Sequence, residues 1–101
     1  MEFEYTIGDE TVDAVISGRL DTAAAVEFAT QIQPLLDNAD KVISLNCKNL
    51  EYISSSGLRS LLMLRKAAGD KGGSVVIKYV NDDIDKILQM TGFSNLFQII
   101  R

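Results

Sequence analysis

"GLRSLLMLRKAAGDKGGSVVIKYV", residues 57 to 80, changes its period half-way along. In the first half Gly57, Leu61, Leu64 and Ala68 form one stripe of a 3.6-residue period, with Leu58 and Leu62 beside it, which predicts a helix. Gly69-Asp70-Lys71-Gly72-Gly73 breaks that helix. Val75 to Val80 then runs almost continuously apolar, the pattern of a central strand in a parallel sheet. A helix delivering the chain into such a strand is part of a βαβ unit, so this stretch alone points to an α/β fold.

Working outward, Asn81 is a good N-cap for a third helix, with Asp82 and Asp83 at its positive end and Ile84, Ile87 and Leu88 as its buried face. Gly92 suits its C-terminal cap, and Phe97 to Ile100 reads as a last short strand. Upstream, Val42-Ile43-Ser44-Leu45 reads as a strand buried on both faces, followed by a polar connection from Asn46 to Asn49. At the start, Phe3, Tyr5 and Ile7 alternate with polar residues. Gly8-Asp9-Glu10 supplies a turn, and Val12, Ala14 and Ile16 alternate again, so residues 1 to 17 predict an antiparallel hairpin. Asp21 is placed to cap a first helix from Thr22, whose Phe28, Ile32, Leu35 and Leu36 share a face. Pro34 predicts a kink or early fraying there.

The expected order is β-β-α-β-α-β-α-β, a single α/β domain over residues 1–101. Right-handed crossovers make its sheet mixed and mostly parallel, with an antiparallel edge.

Composition narrows the function. The net charge of −4 argues against a direct nucleic-acid binder, which normally shows a basic face. No apolar run is long enough to insert in a membrane, and Met1-Glu2-Phe3-Glu4 lacks the features of a secretory signal. The one cysteine, Cys47, allows no intrachain disulfide; a cytoplasmic location fits. Cys47 reads as a small packing residue rather than a redox sensor, and Tyr52 as core or sheet edge. With no histidine and one cysteine the usual zinc sites are excluded, as is the commonest general base. No phosphate-binding loop or nucleophile elbow is present. No cofactor, metal or catalytic residue is expected, and an enzyme is the poorest of the options.

Ahead of the central helix stand three consecutive serines, Ser54, Ser55 and Ser56. One serine is enough to cap a helix, with a contribution of about 1 kcal/mol, and the others can be plain solvated loop. The same position also suits a modification. A helix N-terminus favours negative charge, and a phosphate there adds roughly −1.5 to −2 charge without requiring a new structure. Arg59, the nearest basic residue in sequence, lies close enough to meet such a group. Local chemistry leaves both readings open.

Three motifs carry a resemblance to the STAS family, shared by sulfate transporters and bacterial anti-sigma factor antagonists. "GRLD", Gly18 to Asp21, is similar to the family's Gly-x-Leu/Ile-Asp. "VISLNCKNLEYI", Val42 to Ile53, is similar to its strand-and-loop segment. "SSSGLRSLL", Ser54 to Leu62, resembles its phosphorylation motif Asp-Ser-Ser-Gly-Leu. The length resembles the stand-alone antagonists, and the resemblance spans essentially the whole chain.

By position, the resemblance puts the phosphoacceptor on Ser55, with Ser54 as the alternative. It puts Asp21 on the partner-binding surface, together with Asn46, Ser54, Ser56 and Gly57 around the acceptor. It implies a partner-switching cycle. The unphosphorylated antagonist binds an anti-sigma factor, which is also a serine kinase, and frees the sigma factor. Phosphorylation breaks that binding, and a serine phosphatase restores it. The domain is then substrate and switch, not catalyst. Two positions depart from the pattern: Ser54 and Asn46 stand where the family writes Asp. Both changes remove negative charge beside the proposed acceptor, which lowers the electrostatic cost of a phosphate there.

On a helical wheel Met63 falls among Arg59, Ser60, Lys66 and Ala67, away from the buried stripe. Arg59 and Met63 are therefore candidates for the docking surface, set against an ordinary solvated face. Two rival functions stay open. One is a constitutive STAS binding or scaffold subunit of a signalling or lipid-transport complex, without phosphorylation. The other is a nucleotide or small-anion binder at the N-terminus of the second helix.

Overall fold

A computed structural model describes residues 1–101. The hairpin forms as expected, from β1 (Glu2–Ile7) and β2 (Thr11–Leu20). Next come α1 (Thr22–Gln31), α2 (Gln33–Asp37) and β3 (Val42–Asn46). β4 (Leu50–Ile53) leads into α3 (Ser55–Lys71), and β5 (Ser74–Lys78) into α4 (Asp82–Met90). A 3-10 turn at Phe93–Asn95 precedes β6 (Gln98–Ile100).

The sheet runs β1-β2-β3-β5-β6, with β1 antiparallel to β2 and the other neighbours parallel. β4 pairs in parallel with the far end of β2, at Gly18 to Leu20. From β2 onward each crossover steps in the same direction across the sheet. Right-handed crossovers that never reverse direction place every helix on one face. Cross-strand register agrees: Val12, Ile43 and Val75 form one row and Ala14, Leu45 and Ile77 the next. All six join a single core of 24 buried residues that also takes in Phe28, Leu61, Leu64, Ile84 and Leu88 from the helices. Phe28 is fully buried and meets Phe3 of β1 edge to face, with ring centroids 5.3 Å apart. Such a pair adds about 0.5–1.5 kcal/mol to the burial itself.

The other face of the sheet carries no helix. The centre of β3 is nonetheless buried on both faces, as the sequence predicts, and so is that of the central parallel strand β5. Ser44 and Val76 on that face are 6% and 7% exposed, yet Val76 is the one buried apolar residue outside the core.

Four element boundaries differ from the sequence reading. β2 continues through Gly18, whose φ of +83° accompanies a register shift between Gly18 and Arg19. The glycine there bends the strand instead of ending it. Pro34 sits in the first turn of a separate short helix, where its missing N–H costs nothing, and the break falls at Ile32. α3 runs through Gly69 to Lys71 and stops at Gly72, which is left-handed at φ +83°. β5 ends at Lys78 because Tyr79 has φ +61°, a conformation that costs a bulky residue about 1–2 kcal/mol.

Candidate functional site

The site forms where two adjacent strands end and two helices begin. Leu20 of β2 lies opposite Ile53 of β4, and the Ser54 N–H donates to the Leu20 carbonyl at 2.8 Å. One step beyond, Asp21 and Ser54 leave the sheet side by side, each as the N-cap of a helix. The Asp21 carboxylate accepts the Ala24 N–H at 2.8 Å, and the Ser54 hydroxyl accepts the Gly57 N–H at 3.1 Å. The N-termini of α1 and α3 therefore meet at one corner. Both present free backbone N–H groups and the positive ends of their dipoles.

The three serines occupy three different environments. Ser54 is 5% exposed and engaged as the cap. Ser55 is the first residue of α3 and is exposed. Ser56 is half-buried, and its carbonyl accepts the Ser60 hydroxyl at 3.5 Å. Gly57 lets α3 lie on the sheet: a Cβ there would stand 2.7 Å from Leu20 Cγ and 3.0 Å from Ile53 Cγ1. Its role in the site is to bring the serines down onto the strand ends.

Ser55, Arg59 and Met63 recur at i, i+4 and i+8 along α3, which stacks them on one exposed strip. Met63 is 47% exposed. Both ion pairs in the chain belong to Arg101, so the Arg59 guanidinium has no carboxylate partner. Ser60, expected on this strip, is instead buried at 4%. Leu62, expected beside the buried stripe, is exposed. A further apolar residue, Val26 of α1, is 71% exposed and escaped the sequence reading. The available signal was its angular distance of about 200° from Phe28, on the reverse of the apolar face.

Asn46 enters the arrangement differently. Its side-chain carbonyl accepts the Lys48 N–H at 3.0 Å. It lines a cavity of about 440 Å³ with Lys48, Tyr79, Val80 and Arg101, to which none of the three serines contributes. Tyr52 faces outward at the edge, with the Arg19 guanidinium 4.6 Å above its ring. Cys47 is 1% exposed, and burial pushes its thiol up to about 12, which keeps it protonated and inert.

A family model described as "Mlab, STAS domain" matches residues 3–100. The chain belongs to the STAS domain family. The anti-sigma-B factor antagonist of Staphylococcus aureus is 24% identical over 98% of this chain and 92% of its own. The fold is similar to that of the anti-sigma factor antagonist SpoIIAA. In its unphosphorylated form the TM-score is 0.80 at 20% identity, over 97% of this chain and 87% of SpoIIAA. In its phosphorylated form the TM-score is 0.72 at 20% identity, over 97% and 90%. An anti-sigma factor antagonist from Mycobacterium paratuberculosis gives 0.84 at 16% identity, over 98% and 84%.

The Ser54 cap has a simple physical reading, because Asp and Ser cap helices about equally well. Ser54 supplies the cap without bringing a charge. No helix of the chain is long and apolar enough to cross a membrane.

Proposed function

We propose that this STAS domain is an anti-sigma factor antagonist whose binding is switched by a phosphate on Ser55. The observation that carries the reading is the division of labour between neighbouring serines. Ser54 is buried and accepts the Gly57 N–H, while Ser55 beside it is exposed. A kinase can reach Ser55 without unfolding the helix. A phosphate there adds roughly −1.5 to −2 charge. It sits at the positive end of α3, with Arg59 one turn along, so the fold accommodates it.

The surface a partner sees changes far more. The strip of Ser55, Arg59 and Met63, with Asp21 at its foot, goes from a polar and apolar face with one free cation to an anionic one. In the proposed cycle the unphosphorylated form binds an anti-sigma factor that is also a serine kinase, and the sigma factor is released. Phosphorylation ends the complex, and a serine phosphatase resets it. The phosphoryl chemistry belongs to those partners, and the cycle runs in the cytoplasm.

The test is the affinity of the purified protein for its cognate anti-sigma factor kinase, measured for wild type, Ser55→Ala and Ser55→Asp. Tight binding by wild type and Ser55→Ala, with at least tenfold loss for Ser55→Asp, is expected. Equal binding by all three would make the protein a constitutive binding module, with the serines serving only as a helix start.

A further inference from the structure

Parallel sheets are almost always covered on both faces, because each crossover brings a helix with it and the strands expose too much apolar surface otherwise. Here every crossover steps the same way, and one face of four parallel strands is left bare. Val15, Val42 and Ile100 on it are 37%, 40% and 41% exposed. Val76 lies on the same face, outside the core.

The charges on this face are divided. Glu4, Val15, Asn46, Lys78 and Ile100 form one continuous cross-strand row. At its β1–β2 end the face carries Glu2, Glu4 and Asp13 against one cation, Arg19, which lies over the Tyr52 ring; at its β5–β6 end it carries Lys78 and no acid. We propose that two copies of this chain pack through the bare face of the sheet, about a two-fold axis parallel to the strands, so that the Glu4–Asp13 half of one copy lies over the Lys78 half of the other.

That axis exchanges left and right across the sheet. It sets acid against Lys78, lays the Lys78 stem over Val15, and brings the strands of the two sheets near-aligned, as in sandwich packing. A two-fold across the strands would stack acid on acid. The contact is isologous and closes at two copies. It leaves the Ser55 corner, on the helix side, free in both. The face is small. Five strands about 4.8 Å apart span only roughly 20 Å, so a weak, concentration-dependent association is expected.

Sedimentation of the full chain between about 10 µM and about 1 mM tests this. Asp13→Lys and Lys78→Glu each change one side of the contact, and the double variant exchanges the two charges. Circular dichroism checks that each variant folds. A concentration-dependent dimer, weakened at least fivefold by either single change and recovered in the double, is the expected result. A wild type that stays monomeric throughout overturns the proposal. So does a dimer that ignores both single changes, which would be seated elsewhere, or one that the double variant does not recover.

Discussion

The Ser54 hydroxyl accepts the Gly57 N–H at 3.1 Å, and this bond separates the three serines into a structural one and an available one. Ser54→Ala removes a buried cap and is expected to lower stability by about 1 kcal/mol. Ser54→Asp keeps the cap and should stay within about 0.5 kcal/mol of wild type. Ser55→Ala touches nothing buried and should also change stability by less than about 0.5 kcal/mol. Urea unfolding of the three variants reads these differences. A larger loss from Ser55→Ala than from Ser54→Ala would reverse the assignment.

Gly57→Ala is expected to destabilise by about 1–3 kcal/mol, the usual cost of overpacking. The new Cβ would stand 2.7 Å from Leu20 Cγ, 2.9 Å from Leu20 Cδ2 and 3.0 Å from Ile53 Cγ1. Either α3 lifts from the strand ends or Leu20 leaves its rotamer. A thermal midpoint unchanged from wild type would show that this junction is looser than described.

Alkaline stability should carry the signature of Cys47. Its thiol rises from 9.0 unfolded to about 12 folded through burial. The folded value lies above the unfolded one, so this contribution is complete below pH 9 and is lost as pH rises towards 12. The loss proceeds at up to about 1.4 kcal/mol per pH unit. The quantity that isolates the thiol is the difference from Cys47→Ala, which should shrink steadily above pH 9. A constant difference would mean that the thiol is open to solvent.

Arg59→Ala together with Met63→Ala should weaken binding to the cognate anti-sigma factor at least tenfold, with little change in stability because both side chains are exposed. Calorimetric titration measures it directly. Unchanged affinity would remove the Ser55–Arg59–Met63 strip from the docking surface.

The serine corner was legible because capping and helix period are local. Asp21 and Asn81 accept the backbone N–H of Ala24 and Ile84 as their spacing suggests. β4 was missed for the opposite reason. Leu50–Ile53 has four residues, two of them exposed, and its partner is the tail of β2 some thirty positions away. Nothing in its own pattern distinguishes it from a loop. Gly18 and Gly69 misled in a common way. A glycine permits a turn without requiring one, and here one bends a strand while the other rides inside a helix.

The bare sheet face could not be read from strand composition. Val42–Leu45 and Val75–Val80 look alike whether a helix layer or a neighbouring side chain shields them. Only the order of the strands decides which faces are covered. Likewise local chemistry did not distinguish the three serines, and only the resemblance favoured Ser55. Burial and the cap hydrogen bond distinguish Ser54 from Ser55.

The central claim is that Ser55 is written on and Ser54 is not. The most direct measurement is intact mass and phosphopeptide mapping of the protein purified from its native host, grown with and without stress. A single phosphate on Ser55, varying with condition, is the predicted result. Phosphate confined to Ser54, or none on Ser54, Ser55 or Ser56 in any condition, would contradict it.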